Sequence, residues 1–377
     1  MSSFPEYPVP MYSPATLVID LGHLRSNLVY FRTLLSQETR IMVMVKADAY
    51  GCGAIEVSRV LEEMGVRDLG VAYTHEGITL REAGIEAHIM VMNPLPQEFP
   101  DMIKYQLEPE LWGFPLLQQW MQFVQSTNPA PHPVHLEVDT GMRRLGFDLN
   151  EGKKVGSLLR SHPSVRVRSV FSHLAASADP AHDDFTRKQF RLFEQWYADF
   201  EAATGWSPMR HILNTGGIIR FPGHQYDMVR LGIGLYGMGM ESLPDHASLR
   251  PVQSLYASIS QIRDIGPKET VGYHRKGWLE RPGRIAVVNL GYADGFPRLA
   301  GNGRFSVLIA GVLCPVVGTV CMDMLMVDIS DCPEAQPGSV AEIYGPGNPV
   351  AALAEAAQTI PYEVITGNHQ RLRRIYL

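Results

Sequence analysis

Between Ile41 and Gly237 short apolar runs return eight times: IMVMVKA, DLGVAY, HIMVMN, YQLEPEL, VHLEVD, VRSVFSHL, HILNTGG and MVRLGIGLYG. Runs of this length, rich in β-branched residues and bounded by Gly or polar turns, read as buried strands. Helical spacing fills most of the gaps. IEVSRVLEEMG sets Ile55, Val57, Val60, Leu61 and Met64 largely on one face. FTRKQFRLFEQWYADFEAA repeats large apolar groups at Phe185, Phe190, Phe193, Trp196, Tyr197 and Phe200, with Asp183 and Asp184 ahead as an N-terminal signal. Eight strands alternating with helices over roughly 200 residues predict a closed parallel (β/α)8 barrel of the TIM type; an open doubly wound sheet is the alternative.

After about Pro251 the texture changes. LYASISQIRDI, RIAVVNLGYAD, RFSVLIAGVLCPVVG and MLMVDIS are strand-like runs separated by Gly/Pro turns, and VAALAEAAQ alone has helical character. The expected division is therefore an α/β barrel over residues 1–250 and a mainly β domain over 251–377. A length of 377 residues suits two such bodies.

The net charge of −6, with no Lys/Arg block, argues against a nucleic-acid surface or an anionic membrane as partner. No apolar run is long enough to cross a bilayer, and the opening MSSFPEYPVPMYSPA is polar and proline-rich rather than signal-like. The four cysteines, Cys52, Cys314, Cys321 and Cys332, have neither CxxC spacing nor disulfide density, so a reducing cytoplasm is the expected location.

A barrel presents its chemistry at the C-terminal ends of its strands. Those ends carry Lys46, Asp139 with Arg143–Arg144, His173, Asn214–Thr215 and Arg230–Gly232. Alone, each has a plain explanation: a snorkelling lysine, a core histidine, a capping hydroxyl, a turn glycine. Together they suit a phosphorylated cofactor that needs an amine, because a partly desolvated lysine condenses readily with a carbonyl. GIGLYG formally matches a dinucleotide fingerprint, but MGMESLPD after it is no helix, so NAD binding is rejected. His132 and His135 form no metal-ligand pattern and read as core or surface histidines. Tyr273, Tyr292 and Tyr362 each stand beside Gly or Pro, on expected turns.

In this order, VKADAYGCG, VDTGMRRLG, FSHLAASAD, NTGG, VRLGIGLYG, VGYHRKGW, LGYADGFPR, VGTVCMDMLMVDIS and the closing PYEVITG and RLRRIYL make the chain resemble alanine racemases from about Ala15 to Leu377. The resemblance implies a pyridoxal 5'-phosphate (PLP) enzyme interconverting L- and D-alanine, supplying D-alanine for peptidoglycan. Lys46 would carry the cofactor and act as one base, with Tyr273 of a partner subunit as the other. Inverting a stereocentre needs proton removal on one face and delivery on the other. The resemblance further implies Arg230 at the pyridine nitrogen with His173 beside it, and Arg144 at the ring oxygen and the substrate. Tyr50, Asn214, Thr215, Gly232, Ile233 and Tyr362 would hold the cofactor, chiefly its phosphate, and Tyr292, Met322 and Asp323 would line the substrate region from the other subunit of a homodimer.

Two residues depart from the family pattern. Glu137 stands where many members carry a lysine, often carbamylated, and is expected to supply a carboxylate charge to Arg144 directly. Cys52 stands where histidine is usual and has no functional reading. The alternatives are a broad-specificity or serine racemase, a fold-related PLP decarboxylase of basic amino acids, and a non-catalytic PLP-binding protein. Retention of both Lys46 and Tyr273 speaks against the last.

Overall fold

The computed structural model describes residues 14–127, 131–162, 164–238 and 249–377. They fall into two compact units, one comprising residues 25–235 with Leu249 and the other combining the described residues up to Leu24 with Tyr236 to Met238 and residues 250–377.

In the first unit the eight apolar runs become eight strands. With β1 reserved for Ala15–Ile19 of the other unit, they are β2 (Arg40–Met44), β3 (Asp68–Val71), β4 (His88–Val91), β5 (Leu107–Leu111), β6 (His132–Glu137), β7 (Val165–Phe171), β8 (Met209–His211) and β9 (Met228–Leu231). They pair in parallel in the order β8-β7-β6-β5-β4-β3-β2-β9. The Arg230 amide donates to the Leu213 carbonyl at 2.9 Å and the Asp227 amide to Arg210 at 3.2 Å, which joins the two ends into a barrel. Helices follow most strands, and the longest, Asp183–Thr204, buries Phe190, Phe193, Trp196, Tyr197 and Phe200 as its spacing predicts. Phe185 of the same pattern is partly exposed, because it lies over the Gly141 loop rather than the barrel.

One small apolar cluster of the barrel joins Met42, Met90, Phe171 and Met228. Much of the remaining interior is polar: Asp68, Glu108, Glu110, His135, Glu137, Ser169, His211 and Arg230 are all buried. Buried charge on this scale is tolerated only where it is paired or hydrogen-bonded.

The second unit is one mainly antiparallel sheet. Its long strand β10 (Gln253–Ile265) pairs with β1, with β11 (Gly283–Val288) and with β15 (Val340–Tyr344). A hairpin of β12 (Ser306–Ile309) and β13 (Val312–Pro315) flanks β15. Strand β14 (Leu325–Asp328) pairs with β11, and the final strand β16 (Arg373–Tyr376) lies parallel to β1. TLVI of β1, ahead of the barrel runs, thus belongs to this sheet. The helical stretch expected at VAALAEAAQ is present as Val350–Ala356.

One close approach fixes the loop after β6. Gly146 has φ 127°, and a Cβ there would stand 2.3 Å from the Asp139 nitrogen and 2.7 Å from the Val138 carbonyl carbon. Only glycine fits, so Gly146→Ala should lower stability by about 2–4 kcal/mol, read as a drop in the urea midpoint with unchanged slope.

Candidate active site

The site is built on the strain that follows β2. After Lys46 four consecutive non-glycine residues, Ala47, Asp48, Ala49 and Tyr50, have φ values of 52°, 54°, 51° and 56°. They form one turn of left-handed helix, closed by amide-to-carbonyl bonds from Ala49 to Val45 and from Gly51 to Ala47, both 2.9 Å. That conformation costs about 1–2 kcal/mol per L-residue. Two carboxylates offset it. Glu76 accepts from the Ala47 amide at 2.6 Å and from those of Ala72 and Tyr73 at 2.7 and 3.1 Å. Asp48 accepts from the amide of Ala54 at 2.8 Å, at the start of the next helix. Gly51 and Gly53, at φ 82° and 91°, return the chain, and Cys52 between them is fully buried. The turn fixes the backbone on which Lys46 stands. Burial first, then the charge of Arg144, lowers its pKa, with Arg230 adding to the effect and Glu76 and Glu110 opposing it.

Arg230 of β9 is buried, its guanidinium 4.9 Å from the centre of the Phe171 ring. It donates to His211 Nδ1 at 2.8 Å, to the Ser172 carbonyl at 2.7 Å and to His173 Nδ1 at 3.3 Å. Burial brings its pKa down to about 10, so it keeps its proton at neutral pH. Burial, together with the charges of Arg230, Arg144 and Lys46, keeps His173 neutral.

At the next rim position Thr215 Oγ1 receives the Gly232 amide at 3.2 Å and the Gly234 amide at 3.4 Å. The Tyr50 hydroxyl lies 2.9 Å from where a Gly232 Cβ would be, so only glycine leaves this corner open. Tyrosine hydroxyl, threonine hydroxyl and backbone amides thus meet beside the Ile233–Tyr236 turn. The neighbouring Asn214 caps the turn: its Oδ1 accepts from the Gly217 amide and the Ser177 hydroxyl. Arg144 makes no hydrogen bond or ion pair among the described residues, yet its charge acts on Lys46, His173, Glu110 and Arg230.

The remaining predicted residues lie in the β unit. Tyr273 begins a short turn after Gly272, which has φ 75°, and is 65% exposed. That turn packs on the Thr319 segment leading to Met322. Tyr292 is tied to the same segment: its amide donates to the Cys321 carbonyl at 3.1 Å, and the Ala293 amide to Met322 at 2.9 Å. Arg371 clamps Asp294 and reaches Asp323 at 2.8 Å. Tyr362 is partly exposed on the Pro361–Thr366 helix.

Sequence reasoning passed over Glu76, Glu110, His211 and Arg371. Glu76 lies 30 residues beyond Lys46 on a helix start, and its acidic position in a first turn was the one available signal. Glu110 is enclosed on β5, buried beside Glu137. Burial and the neighbouring charge of Glu137 raise its pKa well above the usual 4.5, with Arg144 and Arg230 opposing. A raised pKa means the folded state holds a proton that the unfolded chain releases, so this contribution to stability is lost as pH rises from about 4.5 through the folded-state value. Glu110→Gln, already neutral, escapes the loss. Its stability relative to the parent should therefore climb by about 1.4 kcal/mol per pH unit above that point, until Glu110 ionises, in urea titrations across the pH range.

A buried guanidinium, a desolvated lysine on a strained turn and a hydroxyl–amide corner, all at the C-terminal ends of barrel strands, define a barrel enzyme built to hold a small anionic group next to an amine. Comparison with known proteins narrows the class. The alanine racemase N-terminal domain matches residues 19–239 and the alanine racemase C-terminal domain residues 252–376. The alanine racemase of Nostoc sp. is 35% identical over 372 residues, 96% of this chain and 95% of that protein. The solved alanine racemase of Clostridium difficile superposes with a TM-score of 0.90 at 32% identity, covering 97% of this chain and 96% of its own. That of Bartonella henselae, with covalently bound pyridoxal phosphate, gives 0.89 at 29% identity, covering 97% and 100%. The chain belongs to the alanine racemase family and is an isomerase. No helix among the described residues is long and apolar enough to cross a membrane.

Proposed function

We propose that the chain racemises alanine with PLP as cofactor, Lys46 and Tyr273 being the two bases, as a homodimer whose sites are shared between subunits. The D-alanine formed would serve peptidoglycan synthesis. The observation that carries this reading is the Lys46 amine, depressed in pKa and fixed on a left-handed turn within the charge field of Arg230 and Arg144.

The barrel residues fit PLP. A Cβ on Gly232 would fill the corner next to the Tyr50 hydroxyl, and Thr215 Oγ1 already gathers amides there, as an oxyanion-binding corner requires. When bound, PLP supplies the electron sink that makes the substrate Cα–H acidic. Tyr50, Thr215, Gly232 and Ile233 would hold its phosphate, with Tyr362 beside them. Arg230, with His173 at its side, would donate to the ring nitrogen, and a group that keeps its proton leaves that nitrogen unprotonated and the sink modest, favouring racemisation over side reactions. Asn214 would act by capping the Thr215 turn. Arg144, with the Glu137 carboxylate to orient it, would meet the ring oxygen and the substrate carboxylate.

Lys46, lowered in pKa by burial, would take or return the Cα proton on one face, and the Tyr273 hydroxyl would do so on the other. Exposure of Tyr273, Tyr292 and Met322 suits residues that are completed by a partner subunit, where with Asp323 they would border the substrate.

A chiral assay on purified protein with L-alanine, L-serine and a panel of amino acids tests the activity and its range. Lys46→Ala should remove more than about 10³-fold of activity along with the yellow absorbance of bound cofactor. Because racemisation rates in the two directions are tied by equilibrium, the two bases are separated by Cα-deuterium washout. Tyr273→Phe should slow washout from L-alanine by about 10²–10⁴-fold while washout from D-alanine persists. Equal losses from both enantiomers would contradict the assignment.

A further inference from the structure

Behind Arg230 the barrel holds a line of buried polar groups that the reaction itself does not call on. His211 Nε2 is 2.7 Å from Ser169 Oγ, Ser169 Oγ is 2.6 Å from His135 Nδ1, and His135 Nε2 is 2.9 Å from Glu108 Oε2. Glu108 Oε1 then meets Arg168 at 2.8 Å and His88 at 2.9 Å, and Arg168 also holds Asp68, which Arg40 grips at 2.6 Å. His135, Ser169 and His211 are fully buried, and Glu108 nearly so.

The protons in this line can be assigned from donor chemistry. Arg230 only donates, so His211 Nδ1 must accept and the His211 proton sits on Nε2. That N–H donates to Ser169 Oγ, which frees the serine proton for His135 Nδ1. The His135 proton is then on Nε2 and donates to Glu108. With one proton per ring every bond is made once, and all run in one direction from a cation to an anion. Burial opposes the charge on Glu108, but the hydrogen bonds from His135 and His88 hold its carboxyl well below the usual range.

We infer that Ser169, His135 and Glu108 are positioning residues, which through His211 fix the Arg230 guanidinium against the barrel and aim its remaining donors at the rim. A chain of aligned bonds polarises its members, so an anion at the far end strengthens His211 Nδ1 as an acceptor for Arg230. Phe171, stacked on His211 at 4.8 Å between ring centres and lying under Arg230, keeps both planes in register. The proposal rests on the reading of Arg230 as the group that meets the cofactor ring.

Selective ¹⁵N-histidine NMR on the full-length protein without cofactor tests the proton assignment independently of catalysis. His211 and His135 should both be neutral with the proton on Nε2 at pH 7, and the His211 N–H should resonate downfield. Ser169→Ala removes one oxygen, and Glu108→Gln lies three bonds away along the chain. Both should shift the His211 resonance, and Ser169→Ala should weaken PLP binding by roughly tenfold, the cost of leaving a buried donor unpaired. Imidazolium or Nδ1–H at His135, or a His211 resonance and PLP affinity unmoved in both variants, would overturn the proposal. Arg230→Lys separates the premise from the chain: PLP affinity unchanged by that substitution would overturn the premise even with both tautomers as assigned.

Discussion

One strained turn governs the site. Four L-residues in the left-handed region, Ala47 to Tyr50, cost roughly 4–8 kcal/mol together, and such a conformation persists only where its surroundings over-determine it. Here the surroundings are two carboxylates and two glycines. Glu76 ties the first amide of the turn to the loop after β3, Asp48 ties its middle to the next helix, and Gly51 and Gly53 let the chain leave. The reward is geometric: Lys46 and Tyr50, at the two ends of one turn, face the same rim without a mobile loop between them. Ala49, fully buried, fits this account, since a larger side chain there would add crowding to backbone strain.

The barrel interior answers a second constraint, the placement of several cations at one rim. The charges of Arg144 and Arg230 lower the pKa of Lys46, and that of Arg144 lowers the pKa of Arg230. Counter-charge is supplied from the strands below. Glu137 acts on Arg230 as such a charge, whereas Glu110, its pKa raised well above the usual range, is held toward its neutral form. Further down, Glu108 and Asp68 are locked by Arg168 and Arg40. A core of charges in place of the usual branched aliphatic layers is therefore tied to what the rim must hold.

The barrel was legible because a parallel sheet buried on both faces writes itself as apolar runs, and all eight appear as strands at the expected places. Strands β10, β11 and β14 were legible as apolar runs between turns, whereas RFSVLIAGVLCPVVG, expected as one run, is the β12–β13 hairpin. Strands β15 and β16 escaped notice, since VAEIY and RRIY carry polar residues and gain their partners from distant segments. At the site, Lys46, Thr215 and Arg230 announced themselves as polar residues ending apolar runs. Glu76, Glu110 and His211 did not, because their meaning depends on neighbours 19 to 120 residues away that only the closed barrel assembles. Cys52, which had no reading in the sequence, proves to be a fully buried filler between the two glycines of the turn. Asn214, read as a cofactor ligand, has a side chain engaged in capping.

The central claim is that the left-handed turn exists to present one particular amine to the cofactor. Borohydride reduction of the protein purified with PLP, followed by tryptic peptide mapping, tests this directly. Modification of Lys46 blocks cleavage there, so the account predicts a single phosphopyridoxyl adduct on the peptide spanning residues 41–59. An adduct on any other lysine, or active enzyme without one, would contradict it.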